Sequence, residues 1–316
     1  MKGKRDSKSN GLPLAARFLR AYLRTGWRGQ TRAYLFLSKR MKSLHSVPIQ
    51  IADWAPVYMD LRDGVDEWLK GTPWKSSPWE VAEQDLMRRV VEAGDIVFDI
   101  GANKGLHTVL LSDLVGEKGC VHAFEPNSQL FPNLSRTVAN LNNVKLYPFA
   151  LSDQKGEAVL FIPNNQMMAS LADWTSAENL AEWRNEIGLD EVHTVECKQI
   201  SLDELISNGE ILFPDFIKCD VEGAELMVFR GAQQTLNRED APIILFEVDV
   251  KTANGFGVEH SAAANFLAGL SKARYSFFKI KESGELTHIR SFDFAHANLL
   301  AVPQSKLSNF SELESL

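Results

Sequence analysis

Acids at the ends of apolar runs are where this chain could do chemistry. Ile96-Val97-Phe98 runs into Asp99, and Val121-His122-Ala123-Phe124 runs into Glu125. A third run, Val144 to Ala150, leads to Ser152 and Asp153. Phe216-Ile217-Lys218-Cys219 ends in Asp220, with Glu222 two residues on, and Ile243 to Phe246 ends in Glu247 and Asp249. Carboxylates so placed accept ribose hydroxyls, hold an ammonium group, or take a proton from a reacting hydroxyl. Two glycines, Gly101 and Gly105, follow Asp99 with Asn103 between them. Glycine belongs where φ is positive or where a ligand must approach the backbone. A turn of this kind leaves the first N–H groups of the next helix open to a ligand.

The elements that hold these residues follow from the pattern around them. Leu106, Val109, Leu110 and Leu114 recur at helical spacing after Gly105, so the unit is strand, glycine turn, helix. The spelling is neither the dinucleotide G-x-G-x-x-G nor the P-loop G-x-x-x-x-G-K-[ST]. Glu125, 24 residues after Gly101, stands where the end of a second strand would meet both ribose hydroxyls of a nucleoside. NAD sites share that acid; the missing central glycine separates this chain from them.

The series VFDIGANKG, HAFEP, ALSD, FIKCDVEGAE and IILFEVD, in that order, resembles an FkbM-type S-adenosylmethionine-dependent methyltransferase, from about Glu80 to about Pro303. KCDVEGAE, Lys218 to Glu225, is the most telling part. The resemblance implies S-adenosylmethionine as cofactor and O-methylation of a hydroxyl on a sugar, a glycan or a polyketide-type small molecule. The candidate cofactor-binding residues are Asp99, Gly101, Asn103, Gly105, Glu125, Ser152, Asp153 and Asp220. Glu125 would take the ribose. Asp99 or Asp220 would hold the methionine ammonium, directly or by ordering the loop. The resemblance puts Ser152 and Asp153 at the adenine edge, although Ser-Asp before Gly156 is also a good turn. Glu222 and Asp249 are the candidate catalytic bases, with His107 and His260 as weaker ones. Glu222 could instead cap the helix that follows it. No Cys/His group has zinc spacing, and no metal site is assigned. Asp220, Glu222 and Glu247 leave a divalent cation open as an alternative. A second function class is a scaffold or regulatory protein that binds the cofactor without turnover.

Strands alternating with helices predict a doubly wound, mainly parallel α/β sheet. The resemblance makes it the seven-stranded, Rossmann-like sheet of class I methyltransferases. Tyr275 to Lys281 and Ala297 to Pro303 should close it as an antiparallel pair. Residues 163–193 break the alternation, with a helix expected around Ala177 to Ile187, and should influence the choice of acceptor.

The 316 residues divide into a basic extension (1–45), a cap or linker (46–77) and the methyltransferase domain (78–316). Residues 1–42 hold 12 Lys and Arg against the single acid Asp6, whereas the remainder is acidic at −18. An acidic body argues against a nucleic-acid substrate. A helix from Pro13 would set Ala15, Phe18, Leu19, Tyr22 and Leu23 on one face and Arg17, Arg20, Arg24 and Arg28 on the other. That helix would either dock on an anionic membrane surface or pack on the domain. Trp54, Trp68, Trp74 and Trp79 would form an entry wall or the cap's own small core. Three sparse cysteines, Cys120, Cys197 and Cys219, suggest reduced thiols and a cytoplasmic home.

Overall fold

The computed structural model describes residues 12–23, 34, 36–50, 54–62, 78–163, 168–173 and 192–310. The extension and cap hold α1 (Leu14–Leu23), β1 (Val47–Ile49) and β2 (Val57–Met59). The domain begins with α2 (Pro78–Val90), β3 (Ile96–Ile100), α3 (Leu106–Val115), β4 (Cys120–Phe124), α4 (Phe131–Val138) and β5 (Val144–Tyr147). Then come β6 (Phe149–Leu151), β7 (Gly156–Pro163), β8 (Val192–Ile200), α5 (Leu202–Ser207), β9 (Phe216–Cys219), α6 (Glu225–Arg230) and α7 (Gln233–Leu236). The chain closes through β10 (Ile243–Asp249), α8 (Val250–Gly255), α9 (Ala262–Ala268), β11 (Ser276–Ile280), β12 (Leu286–Ile289) and β13 (His296–Val302).

The central sheet has the order β12-β11-β13-β10-β9-β3-β4-β5. Neighbours from β10 to β5 run parallel, while β13 is antiparallel to both β10 and β11. This is the expected doubly wound, mainly parallel sheet, with its seven strands from β11 to β5. The edge strand β12, antiparallel to β11, is an eighth. The strand order reverses between β3 and β9, so the carboxyl ends of those two strands flank the ligand crevice.

Helices cover both faces, which is why the inner strands read as continuous apolar runs. All four residues of β9 are buried. Successive side chains alternate between the two layers. Phe98 and Ile100 pack with Phe229 of α6 and Leu267 of α9, while Val97 packs with Leu110 and Leu111 of α3 and Leu86 of α2.

The expected single strand from Val144 to Ala150 is two. β5 stops at Tyr147, and β6 leaves the central sheet to pair with β8 in a three-stranded sheet ordered β6-β8-β7. Pro148 sits at the break, where it has no N–H to donate to a ladder.

The N-terminal helix packs through part of the expected face, Leu19 and Leu23, joined by Ala16. Ala16, Leu19 and Leu23 are buried with Val47, Ile49, Val57, Met59 and Val109 of α3, while Phe18 is 64% exposed. Trp54 packs against the apolar clusters, with the Arg88 guanidinium over its ring. Arg24, Trp27, Arg28, Trp68, Trp74 and the helix expected around 177–187 lie outside the described residues.

Candidate active site

Two turns build the floor of the crevice. After β3, Gly101 has φ 84° and Asn103 φ 53°. This turn brings Asn103 N–H to Glu125, donating to Oε2 at 2.8 Å. Asn127 N–H donates to the other oxygen, Oε1, also at 2.8 Å. Burial pushes the Glu125 carboxyl up to about 7, against the pull of these two bonds.

After β9 the chain turns sharply at Glu222 (φ 54°) and Gly223 (φ 96°). The start of α6 is tied by Glu225, whose Oε1 accepts from Val221 N at 3.1 Å and Gly223 N at 3.4 Å. Glu222 is therefore not the cap of this helix. The left-handed turn carries both Asp220 and Glu222 into the crevice.

That crevice holds two cavities. One is a narrow slot of about 50 Å³, lined by Gly101, Asn103, Glu125, Phe149, Leu151 and Leu130 among others. Ala169, Ser170 and Leu171 form a further wall, and Ser170 Oγ donates to the Glu222 carbonyl at 2.7 Å. The other is a chamber of about 340 Å³ lined by Glu80, Glu83, His107, Lys218, Asp249 and His296, with Glu247 and Asn298 between the last two strands. Asp220 and Glu222 line both cavities and form the seam between them.

The far wall of the chamber follows from strand register. Glu247 and Asp249 lie two apart on β10 and so share a face. Asn298 and His296 stand opposite them on β13. His296 Nδ1 lies 3.2 Å from Asp249 Oδ2 and 3.4 Å from Glu247 Oε1. The second Asp249 oxygen accepts from Lys251 N at 2.6 Å and caps α8. Asn298 Nδ2 donates to Glu83.

Lys218 is the buried cation of the site. Its Nζ donates to Asp220 Oδ2 at 3.0 Å. Burial alone would push the ammonium down, but the charges of Asp220, Asp99 and Glu83 outweigh it and hold the pKa above its usual value. Burial likewise disfavours ionised Asp220, and Lys218 outweighs that, holding the carboxyl below its ordinary range. The remaining acids pay for their crowding. Burial, then the Asp220 charge, raises Glu83 to about 8 and lifts Glu222 and Glu247 well above the carboxylate range. His107 is held neutral down to about 3 by burial and by Lys218, and its Nε2 has no hydrogen-bond partner among the described residues.

The sequence candidates thus separate into groups. Gly101, Asn103 and Glu125 line the slot, Asp249 lines the chamber, and Asp220 and Glu222 line both. Asp99 is fully buried behind the slot and accepts from Thr108 Oγ at 2.6 Å, which fixes the start of α3. Gly105 is a packing glycine, since a Cβ there would meet Leu134 Cδ1 at 2.8 Å. Ser152 and Asp153 line neither cavity. They follow directly on β6, whose Phe149, Ala150 and Leu151 line the slot; Ser152 N donates to Ile200 O and the Ser152 carbonyl packs on Gly231. His260 is also outside the chamber, with Nε2 at 3.1 Å from the Phe292 carbonyl.

Sequence reasoning missed Glu83, His296 and the part played by Lys218. A lysine inside a buried strand signals a paired charge, because an unpaired one is too costly. Glu83 and His296 carry no such signal, since only helix packing and strand pairing bring them in.

The slot suits the cofactor that the motifs imply. Apolar walls face an acid at the end of β4, and Asp99 Oδ1 is buried without a hydrogen-bond partner among the described residues. Among those residues, no group of three or more His, Cys, Asp or Glu is arranged to hold a metal ion.

Residues 99–277 match the profile of the Methyltransferase FkbM domain, more than half of the chain. The chain belongs to the FkbM methyltransferase family. Among curated relatives, the FkbM chain is 30% identical over 166 residues to the hexuronic acid methyltransferase AglP of Haloferax volcanii, covering 51% of this chain and 61% of that protein. It is 24% identical over 186 residues to the 2-O-methyltransferase NoeI of Sinorhizobium fredii, covering 57% and 74%. The FkbM chain therefore spans about three fifths of the length of the first of these relatives. Among solved structures, the precorrin-6y C5,15-methyltransferase of Geobacter metallireducens aligns with TM-score 0.39 at 14% identity, covering 71% of this chain and 88% of that one. Aeropyrum pernix fibrillarin with bound S-adenosyl-L-methionine aligns with TM-score 0.34 at 15% identity, covering 70% and 73%.

Proposed function

We propose that the chain is an S-adenosylmethionine-dependent O-methyltransferase acting on a hydroxyl of a sugar, free or within a glycan, or of a similar small molecule. The observation that carries this reading is the seam. A slot with a ribose-type acid and a polar chamber meet at Asp220 and Glu222. The cofactor supplies a methyl group on a positively charged sulfur, open to in-line displacement. Glu125 accepts the ribose hydroxyls at the end of β4. Gly101 and Asn103 form the turn beneath the cofactor, and Asp220 faces its charged amino-acid end. The crowded acids at the seam favour a cation and, around it, a polyhydroxyl acceptor that both accepts and donates hydrogen bonds. Both curated relatives are named as methyltransferases, one of a hexuronic acid and one of a 2-O position, which supports a sugar acceptor.

Calorimetric titration with S-adenosylmethionine and with NAD tests the cofactor. Binding of the first and not the second is expected, and the reverse would end the reading. Mass spectrometry of methylated products from a sugar panel tests turnover. Tight cofactor binding with no methylated product from any sugar or co-purified small molecule would favour the scaffold reading.

A second proposal concerns placement. Among the described residues no helix is long and apolar enough to cross a membrane. Residues 13–42 are proposed to rest on an anionic membrane surface on the cytoplasmic side. Leu14 and Phe18 are 80% and 64% exposed beside exposed Arg17, and Phe36, 60% exposed, carries the Arg40 guanidinium over its ring. The three free thiols suit a reducing compartment. Sedimentation with phosphatidylserine vesicles should fall steeply with salt. Salt-insensitive binding, or binding unchanged by Phe18→Ser with Arg17→Glu, would defeat it.

A further inference from the structure

We propose that His296 takes the proton of the acceptor hydroxyl during methyl transfer, with Asp249 and Glu247 holding its ring. This rests on the O-methyltransferase reading above. A hydroxyl is a poor nucleophile until its proton has somewhere to go. The chamber must therefore hold a group able to accept that proton, close to the seam where the methyl group arrives.

The geometry points to His296. It opens β13 at the register position opposite Asp249 and lines the chamber that Asp220 and Glu222 share with the slot. Two acids converge on one ring nitrogen, Nδ1, at 3.2 Å and 3.4 Å. A carboxylate on Nδ1 fixes the tautomer with its proton there and leaves the lone pair on Nε2. The clamp is itself anchored. Asp249 accepts from Lys251 N with its other oxygen, so its carboxylate is pinned to the start of α8. The imidazole side chain is 40% exposed, which gives the proton a way out to water after transfer.

The other candidates are poorer acceptors. Asp249 has both oxygens engaged, and its carboxyl is held below its usual range by His296 and Lys251 against the effect of burial. Glu222 and Glu247 are lifted well above the carboxylate range by burial and by neighbouring acids, so each holds its proton more tightly than a free carboxyl. His107 stays neutral down to about 3. His260 faces a backbone carbonyl elsewhere.

The step balances. The hydroxyl oxygen forms a bond to the methyl carbon, and the carbon–sulfur bond breaks with its electron pair left on sulfur. The hydroxyl proton passes to Nε2 of His296. The resulting imidazolium is stabilised by Asp249, and it returns the proton to solvent. Asp249 and Glu247 are positioning residues in this scheme.

Two measurements on the full chain test it. Long-range ¹H–¹⁵N spectra with S-adenosylhomocysteine bound should show the neutral His296 ring protonated on Nδ1; protonation on Nε2 would overturn the proposal. Turnover is then followed on a panel of p-nitrophenyl glycosides of neutral sugars. His296→Asn should slow methylation by about 10²–10⁴-fold. The calorimetric Kd for S-adenosylhomocysteine should stay within about twofold of the parent value, since only a transition-state interaction is lost. A variant that methylates within about threefold of the parent rate would also overturn it. Failure of the unaltered protein to bind S-adenosylhomocysteine would instead defeat the cofactor reading, so the two failures are distinct.

Discussion

The carbonyl oxygen of Asp220 lies 1.9 Å from the point where a Cβ on Gly101 would stand. The turns after β3 and β9 therefore touch at the crevice, and only glycine permits it. Gly101→Ala should push the two turns apart and cost more stability than Gly94→Ala. Gly94 also has positive φ, 103°, but nothing lies within 4 Å of its added Cβ. The control should lose only the left-handed strain of about 1–2 kcal/mol. Equal urea midpoints for the two variants would contradict this contact.

Glu125→Ala removes a charge-assisted hydrogen-bonding group from the slot. S-adenosylmethionine binding should weaken by about 1–3 kcal/mol in calorimetry. An unchanged affinity in a folded variant would take the ribose role away from Glu125.

Lys218→Met leaves Asp99, Asp220 and Glu83 without their shared cation. Breaking a buried pair from one side should cost about 3–5 kcal/mol in chemical denaturation. A loss below about 1 kcal/mol, the size of an exposed pair, would mean that the lysine is not the keystone of the acid cluster.

Stability of the ligand-free protein should fall as pH rises above neutrality. Glu83, Glu125 and Glu225 are raised from 4.5 to about 8, 7 and 7, each chiefly by burial. The folded protein holds these protons more tightly than the unfolded chain. Their contribution is full below pH 4.5 and is lost as pH rises through 7 to 8. His107 and His122, lowered by burial from 6.5 to about 3 and 4, act in the other sense, but only below 6.5. The melting temperature should therefore drop between pH 6.5 and about 8.5, and less so in Glu83→Gln. A rise over that range would contradict the assigned burial.

Glu222→Gln keeps the size and the hydrogen bonding of a side chain at the seam. With the proton passing to His296, the rate should fall by about tenfold or less. A fall of about 10²–10⁴-fold with cofactor affinity intact would return the base to Glu222.

The sequence by itself determined the sheet and one wall of the crevice. Alternating apolar runs and helical spacing set the order of strands and helices. The glycine turn, the acid of HAFEP and the DVEG corner are local signals, because tight turns and strand ends are decided by residues a few positions apart. Even there, the direction of Glu222 was open until its left-handed backbone, φ 54°, put it beside Asp220 in the crevice. Tertiary structure decided the rest. Ser152 and Asp153 fall just past the slot, because β6 lines it only as far as Leu151 and Ser152 is then tied to Ile200 and packed on Gly231. Glu83 entered it because α2 packs on the face of the sheet, where Asn298 Nδ2 of β13 donates to Glu83. His296 met Asp249 and Glu247 because β13 returns antiparallel beside β10 in one register. Contacts between residues 47 and more than 100 positions apart depend on strand pairing and helix packing, and no local pattern of spacing encodes those.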